Sequence, residues 1–152
     1  MPAITETHRY GCRTSDAQDI RYQIYLAELG EKADSSVQSG TRPVIVLQNN
    51  AGNRSSPTVI VAPITSKLEK SHLPTHVVLG QSNLPKQSMV LLEQVMTMDQ
   101  KLLIKEYGEI GEQDRKGVER ALKVSFGLLH SKKKKRRCGD SKMKPSRSSG
   151  SE

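Results

Sequence analysis

The pattern of apolar and polar positions along the chain predicts a series of short strands followed by one helix. Alternate residues of the segment 20–26 are apolar, which is typical of a half-buried strand. Val44–Leu47 and Val59–Ile64 are wholly apolar and rich in β-branched residues, so these two runs predict buried strands. The polar segment Gln48–Thr58 between them predicts a surface loop.

Three further short strands are predicted downstream, at His76–Leu79, Met89–Gln94 and Tyr107–Ile110. The segment Asp99–Leu103 predicts the turn between the last two, and Gly30–Thr41 predicts a long flexible loop. Several short strands at close spacing, separated by polar turns, are typical of a small antiparallel barrel.

One C-terminal segment has the spacing of an amphipathic α-helix. Five residues would share its apolar or small face, namely Val118, Ala121, Leu122, Ser125 and Leu129. Glu112 and Asp114 lie in the expected first turn, where the helix dipole favours negative charge. The predicted fold class is therefore mainly β with a C-terminal helix.

The distribution of charge divides the chain into three parts. Residues 131–152 contain nine Lys or Arg against two acidic residues, a net charge of +7, whereas the whole chain carries +8. Like charges interspersed with Ser and Gly repel one another and do not pack, so a disordered basic tail is predicted there. The tail would be either a nucleic-acid arm or a solvated segment with no assigned task. Residues 1–18 lack periodicity and are predicted to be poorly ordered, which leaves 19–130 as the folded domain.

Neither a membrane span nor a secretory signal is predicted. No apolar run approaches the ~20 residues that cross a bilayer, and the N-terminal segment has no basic region followed by an apolar stretch. The expected location is the cytoplasm. Cys12 and Cys138 lie outside the predicted domain without Cys or His at metal-ligand spacing, and they are interpreted as incidental reduced thiols.

The candidate chemistry lies at the ends of the two buried strands. Arg42 stands at the start of the first, and Thr65 and Ser66 stand at the end of the second. A guanidinium group facing hydroxyl groups across adjacent strands is suited to binding a phosphate. The alternative is a strand-end arginine that pairs with a carboxylate.

A metal site is not predicted, and neither is any other cofactor. The carboxylates of the central region are scattered, without the clustered pattern that metal catalysis needs. His72 and His76 are four residues apart, but Pro74 between them rules out a shared helical face. His76 is predicted to pair structurally at the start of a strand.

Several segments together resemble those of one known family, the MazF/PemK toxins, which cut single-stranded RNA. The segments are RPVIVLQNNAGNRSSPTVIVAPITS (Arg42–Ser66), LPTH (Leu73–His76), MVLLEQVMTMD (Met89–Asp99) and KGVERALKVSFGLL (Lys116–Leu129). The resemblance covers roughly residues 20–129 in order, and its central motifs are specific rather than compositional.

The resemblance implies a small Src-homology-3-like antiparallel β-barrel of the MazF/PemK/CcdB type that forms a homodimer. It implies a sequence-specific, metal-independent endoribonuclease that uses attack by the RNA 2′-hydroxyl, with catalysis assigned to Arg42 and Thr65. The implied partners are single-stranded RNA, a cognate antitoxin with a disordered acidic segment, and operator DNA through the antitoxin complex. No membrane partner is implied.

RNA recognition is predicted at Ser36, Gln38, Ser66, Glu93 and Gln94, whose hydroxyl, amide and carboxylate groups suit hydrogen bonding to RNA. The chain departs from the family pattern at Val37 and Ser39, which replace a Glu and a Gly in the loop before Arg42. The connection Gly80–Gln87 also looks about two residues shorter than its family counterparts.

Two other classes of protein remain as alternatives. One is a toxin of the same fold that poisons DNA gyrase without cutting RNA, although a gyrase poison needs neither Arg42 nor Thr65 at the strand ends. The other is a non-catalytic nucleic-acid-binding barrel in which the basic tail does most of the binding. Cleavage of a long unstructured RNA into discrete fragments would separate both from a nuclease.

Overall fold

The structure is a computed structural model that describes residues 19–129 of the chain. Within that range the elements, in chain order, are β1 (Gln23–Glu28), β2 (Thr41–Val46), α1 (Asn50–Ser55), β3 (Thr58–Thr65), β4 (His76–Val78), β5 (Met89–Leu91), β6 (Met96–Asp99), a 3₁₀ turn (Gln100–Leu102), β7 (Leu103–Glu109) and α2 (Glu112–Ser125). The predicted ends of the chain, residues 1–18 and 131–152, lie outside the described residues, as do both cysteines.

The strands form one antiparallel sheet in the order β4-β5-β3-β2-β1-β7. The eight-residue strand β3 is its centre, because β2 pairs with one edge while β6 and β5 pair with successive parts of the other. β6 pairs with the first half of β3 and β5 with its last two residues, Ile64 and Thr65. The single strand β3 therefore pairs with three others, β2, β5 and β6.

Two apolar clusters lie on opposite faces of β2 and β3. Ile45 belongs to the larger cluster, which includes Val118 and Ala121 of α2, whereas Val44 and Val46 belong to the smaller one. Successive side chains of a strand point to opposite faces, so a strand covered on both sides must be apolar at every position. This explains why the two central strands read as continuous β-branched runs.

The mainly β class with a C-terminal helix is confirmed. The sheet is open rather than closed into the predicted barrel, since no strand pairing among residues 19–129 joins β4 to β7. α2 is shorter than its apolar pattern predicted, and Leu129 lies beyond it. The helix ends because Gly127 adopts φ 69°, with the N–H of Leu128 donating to the carbonyl of Lys123 at 2.8 Å, a closure that glycine favours.

The segment 48–58 is not an irregular loop as predicted, because it contains α1. The side chain of Asn49 accepts a hydrogen bond from the N–H of Gly52 at 2.8 Å and so caps this short helix. Asn53 is buried and donates to the carbonyl of Gln48 at 2.9 Å, which ties the helix to the end of β2.

Several strand boundaries also differ from prediction. β1 begins at Gln23 rather than at residue 20, since Tyr22 has φ 67°, which is not a strand conformation. The strand predicted over Met89–Gln94 ends at Leu91, whose carbonyl accepts from the N–H of Gln94 at 3.2 Å in a turn. The unpredicted strand β6 follows, and β7 begins at Leu103 rather than at residue 107.

Between residues 19 and 129, no helix combines the length and the apolar character that crossing a membrane would require.

Candidate functional site

Arg42 and Thr65 lie at the same end of two neighbouring strands. The register pairs Val44 of β2 with Pro63 of β3. Extended by two residues, toward the start of β2 and the end of β3, the same register places Arg42 opposite Thr65. The predicted juxtaposition of a guanidinium group and a threonine hydroxyl at adjacent strand ends is therefore consistent with the strand pairing.

The Arg42 side chain is held by a backbone atom rather than by a carboxylate. Its Nε donates to the carbonyl oxygen of Ser39 at 2.7 Å. No acidic group lies within ion-pair distance of it among the residues that the structure describes. The alternative of a strand-end arginine paired with a carboxylate is thus not found in this region, and the two terminal nitrogens of the fork have no such partner there.

Thr65 is buried at the end of β3. It is 8% exposed, and its Oγ1 accepts a hydrogen bond from the N–H of Lys67 at 3.2 Å. Because that bond uses an oxygen lone pair, the hydroxyl hydrogen stays available to donate to a substrate oxygen. Ser66 is exposed directly beside it.

The loop between β1 and β2 is closed at its base by hydrogen bonds. The N–H of Leu29 donates to the carbonyl of Gly40 at 3.0 Å, and the N–H of Gly40 donates to the carbonyl of Gly30 at 2.8 Å. The Thr41 hydroxyl donates to Glu28 at 2.6 Å. This bond and, to a smaller extent, the N–H of Gly30 hold the pKa of the Glu28 carboxyl below its usual range.

Four of the five predicted RNA-binding residues lie together around the turn between β5 and β6. The N–H of Gln38 donates to Gln94 Oε1 at 2.8 Å, and Gln94 Nε2 donates to the carbonyl of Ser36 at 3.3 Å. Glu93 precedes Gln94 in the same turn. No hydrogen bond joins Ser66 to these four in the described range.

Glu93 is joined to His76, at the start of β4. His76 Nε2 lies 2.7 Å from Glu93 Oε1, and Nδ1 lies 2.7 Å from the carbonyl oxygen of Lys70. The His76 side chain is 4% exposed. The prediction that His76 pairs structurally at a strand start is confirmed.

Three groups that shape the site gave no signal in the sequence. They are the carbonyl of Ser39, the carbonyl of Lys70 and the N–H of Lys67. All three act through the backbone, which is chemically the same at almost every position of a chain.

Within residues 19–129 no group of three or more His, Cys, Asp or Glu side chains is arranged to hold a metal ion. The prediction of metal-independent chemistry is not tested by this arrangement, and it stays a prediction.

A family profile described as PemK-like, MazF-like toxin of type II toxin–antitoxin system matches residues 20–126. The chain is also similar to endoribonuclease MazF of Staphylococcus saprophyticus, with 42% identity over 110 residues, 71% of this chain and 91% of that protein.

Solved structures give the same assignment at the level of the fold. An endoribonuclease in complex with its cognate antitoxin, from a Mycobacterial species, aligns with a TM-score of 0.62 and 26% identity over 74% of this chain and 98% of that chain. MazF from Deinococcus radiodurans aligns with a TM-score of 0.61 and 21% identity, over 70% and 94% of the two chains. At that lower identity, the second likeness shows the fold alone.

Proposed function

The chain belongs to the PemK-like, MazF-like toxins of type II toxin–antitoxin systems, and from this premise we propose that Arg42 and Thr65 form the centre at which it cleaves RNA. The protein is an endoribonuclease toxin that an antitoxin neutralises. The alternatives of a gyrase poison and of a non-catalytic binding barrel are not favoured.

The hydrogen bonding of the Arg42 side chain supports its assignment to the catalytic centre. Its Nε is fixed by the Ser39 carbonyl at 2.7 Å, while its terminal nitrogens have no carboxylate partner among residues 19–129. A fixed guanidinium can bind two oxygens of one phosphate group at once. The hydroxyl of Thr65, opposite it in the extended register, can donate to the same phosphate.

The proposed reaction uses the RNA's own 2′-hydroxyl as the nucleophile. The 2′ oxygen attacks phosphorus and loses its proton, the bond from phosphorus to the 5′ oxygen breaks, and that oxygen gains a proton. The products are a 2′,3′-cyclic phosphate and a 5′-hydroxyl. Arg42 and Thr65 would stabilise the charge that accumulates on the non-bridging oxygens, and a single preorganised donor of this kind contributes roughly 10²–10³ in rate.

The groups proposed to contact RNA beside this centre are Ser36, Gln38, Ser66, Glu93 and Gln94. Four of them already lie at one place, where the β1–β2 loop meets the turn between β5 and β6. Glu93 uses Oε1 toward His76 and is 39% exposed at its side chain, so its second oxygen is able to accept from a base. Single-stranded bases are read through such edge hydrogen bonds.

The proposed assembly is a homodimer that works without a metal in the cytoplasm. Exposed apolar side chains that follow α2 support burial against a second copy, since Phe126 and Leu128 are 58% and 68% exposed. The antitoxin would lay a disordered acidic segment along the RNA site, where negative charge imitates phosphate. Operator DNA would be a partner through the complex of toxin and antitoxin.

The experiment that tests this function is digestion of a long unstructured RNA by the purified protein, with sequencing of the fragment ends. We expect discrete fragments with a common sequence at the cut, the same pattern with EDTA, and 2′,3′-cyclic phosphate and 5′-hydroxyl ends. A requirement for Mg²⁺ or fragments with 5′-phosphates would contradict the proposed chemistry.

A further inference from the structure

The turn between β5 and β6 is fastened to both loops that flank Arg42 and Thr65. Gln94 bonds to the β1–β2 loop, which leads into Arg42. Glu93 bonds to His76, which in turn bonds to Lys70 in the segment that follows Thr65. Two adjacent side chains therefore connect the two sides of the site through one turn.

The bond from Gln94 leads directly toward the Arg42 guanidinium. Gln94 Oε1 accepts from the N–H of Gln38 at 2.8 Å. The next residue is Ser39, whose carbonyl accepts from Arg42 Nε at 2.7 Å. The Ser39 carbonyl is therefore held from two sides, because the residue before it is bonded to Gln94 and the Gly40 N–H of its own peptide unit donates to the carbonyl of Gly30 at 2.8 Å.

Residues 31–38 of the loop have little else to hold them in place. Residues 31–37 are exposed. Between positions 31 and 39 of the described chain, the hydrogen bonds to groups outside the loop are those with Gln94 and Arg42. The other bond in this stretch is local, from the N–H of Val37 to Ser35 Oγ at 3.1 Å.

From this arrangement we propose that Gln94 is a positioning residue for cleavage, a role that rests on the proposed function of Arg42. Its carboxamide clamps residues 36–38, and the clamp holds the Ser39 carbonyl where it orients the Arg42 fork toward phosphate. The carboxamide uses both its oxygen and its nitrogen on the loop. Contact with RNA would be left to the second lone pair and the second N–H of the carboxamide, which these two bonds do not use.

The expected loss of cleavage rate follows from the net free energy of one or two hydrogen bonds. Without the clamp, Arg42 occupies the productive orientation for a smaller share of the time, and the cleavage rate falls in proportion. The net stabilisation of such bonds corresponds to roughly a tenfold change in population. A catalytic group that itself contacts phosphate would contribute more, on the order of 10²–10³.

The test compares Gln94→Ala with Gln94→Glu and with the control Gln113→Ala, which removes an exposed glutamine of α2. Glutamate keeps an oxygen that accepts from the Gln38 N–H, whereas alanine does not. The first measurement is hydrogen exchange of the Gln38 amide in the RNA-free protein. We expect exchange to be about tenfold faster in Gln94→Ala and close to wild type in Gln94→Glu and Gln113→Ala.

The second measurement is cleavage kinetics on RNAs that differ at each base of the cut sequence. We expect kcat to fall about tenfold in Gln94→Ala on every cleavable sequence, with less than a roughly twofold change in KM, and kcat to recover in Gln94→Glu. The negative charge of glutamate would act on KM instead, by repelling phosphate.

Each other outcome contradicts the proposal. Unchanged exchange of the Gln38 amide in Gln94→Ala would show that no clamp exists. A changed preference at one base, with unchanged kcat on the preferred sequence, would make Gln94 a base reader. If the wild-type protein itself cleaved no RNA, the proposed function would fail and the catalytic role with it, while the exchange experiment would still decide whether the clamp exists.

Discussion

The end of the sheet that carries Arg42 and the face of the sheet that α2 covers are stabilised in different ways. At the Arg42 end, side chains are held by single hydrogen bonds to loop backbone, such as the bond to Ser39. Under α2, Ile110, Val118 and Ala121 pack in a continuous apolar cluster and are at most 2% exposed. We infer that changes at the first region alter the reaction with little effect on stability, and that changes at the second do the reverse.

The largest expected effect is on stability, from Ile110→Ala. Truncation of a buried isoleucine removes apolar contacts and leaves a cavity, which costs roughly 2–5 kcal/mol. Ile104→Ala is the matched control, because Ile104 lies in the neighbouring strand β7 but is 54% exposed. Urea denaturation measures both variants. If Ile110→Ala no longer cleaved RNA under conditions in which it stays folded, at a urea concentration well below its unfolding midpoint, the proposed difference between the two regions would be wrong.

The next effect is on rate, from Arg42→Ala. Loss of one preorganised group that stabilises the transition state lowers the cleavage rate by roughly 10²–10³. The free energy of unfolding should stay within about 0.5 kcal/mol of wild type, because Arg42 is outside both apolar clusters. Arg42→Lys keeps the charge but not the two-pronged geometry, and we expect it to restore only part of the rate.

The control for charge alone is Arg54→Ala, which removes an exposed arginine of α1 that pairs with Asp19 at 2.9 Å. We expect its cleavage rate to be unchanged. If folded Arg42→Ala cleaved within about threefold of wild type, where a loss of 10²–10³ is expected, Arg42 would have no place in the mechanism.

A smaller effect is expected from Tyr22→Phe, on the α2 side. The Tyr22 hydroxyl donates to Glu119 on α2 at 2.5 Å, and its removal costs about 1 kcal/mol of stability with cleavage unchanged. Tyr107→Phe is the control, since the Tyr107 hydroxyl makes no hydrogen bond in the described part of the chain. Equal destabilisation by both variants would show that the bond to Glu119 contributes nothing.

The raised pKa of Tyr22 predicts that stability depends on pH at high pH. Burial first, and then the hydrogen bond to Glu119, raise the pKa of Tyr22 from 10.0 to about 12. A group whose pKa is raised by folding stabilises the fold below its unfolded value and loses that contribution as pH rises toward its folded value. We therefore expect wild-type stability to fall between pH 10 and pH 12, more steeply than that of Tyr22→Phe. Parallel curves would contradict this.

The smallest effect concerns residues 131–152, whose net charge of +7 lies outside the described residues. Their deletion is expected to change neither stability nor the sequence that is cut. If three of the lysines contact RNA, the slope of log affinity against log salt should flatten by about two units. A changed cleavage sequence would mean that recognition does not belong to the folded domain alone.

The sequence by itself determined the central features of this protein. The continuous β-branched runs of β2 and β3 predicted buried strands, and the apolar face around Val118 predicted α2. Arg42 and Thr65 were predicted as a candidate pair from their places at the ends of those runs, since two paired antiparallel strands bring one start and one end together. The family was identifiable for the same reason, because its motifs lie in these segments.

The tertiary structure alone decided the rest. β6 has only four residues, too few for a periodic signal, and it is a strand because β3 lies beside it. The open sheet also depends on pairings distant in sequence. Ser39 holds Arg42, and Gln94 holds Gln38, through backbone groups that every residue type shares. Such bonds leave no trace in residue identity, so only the folded chain shows which side chain each backbone group meets.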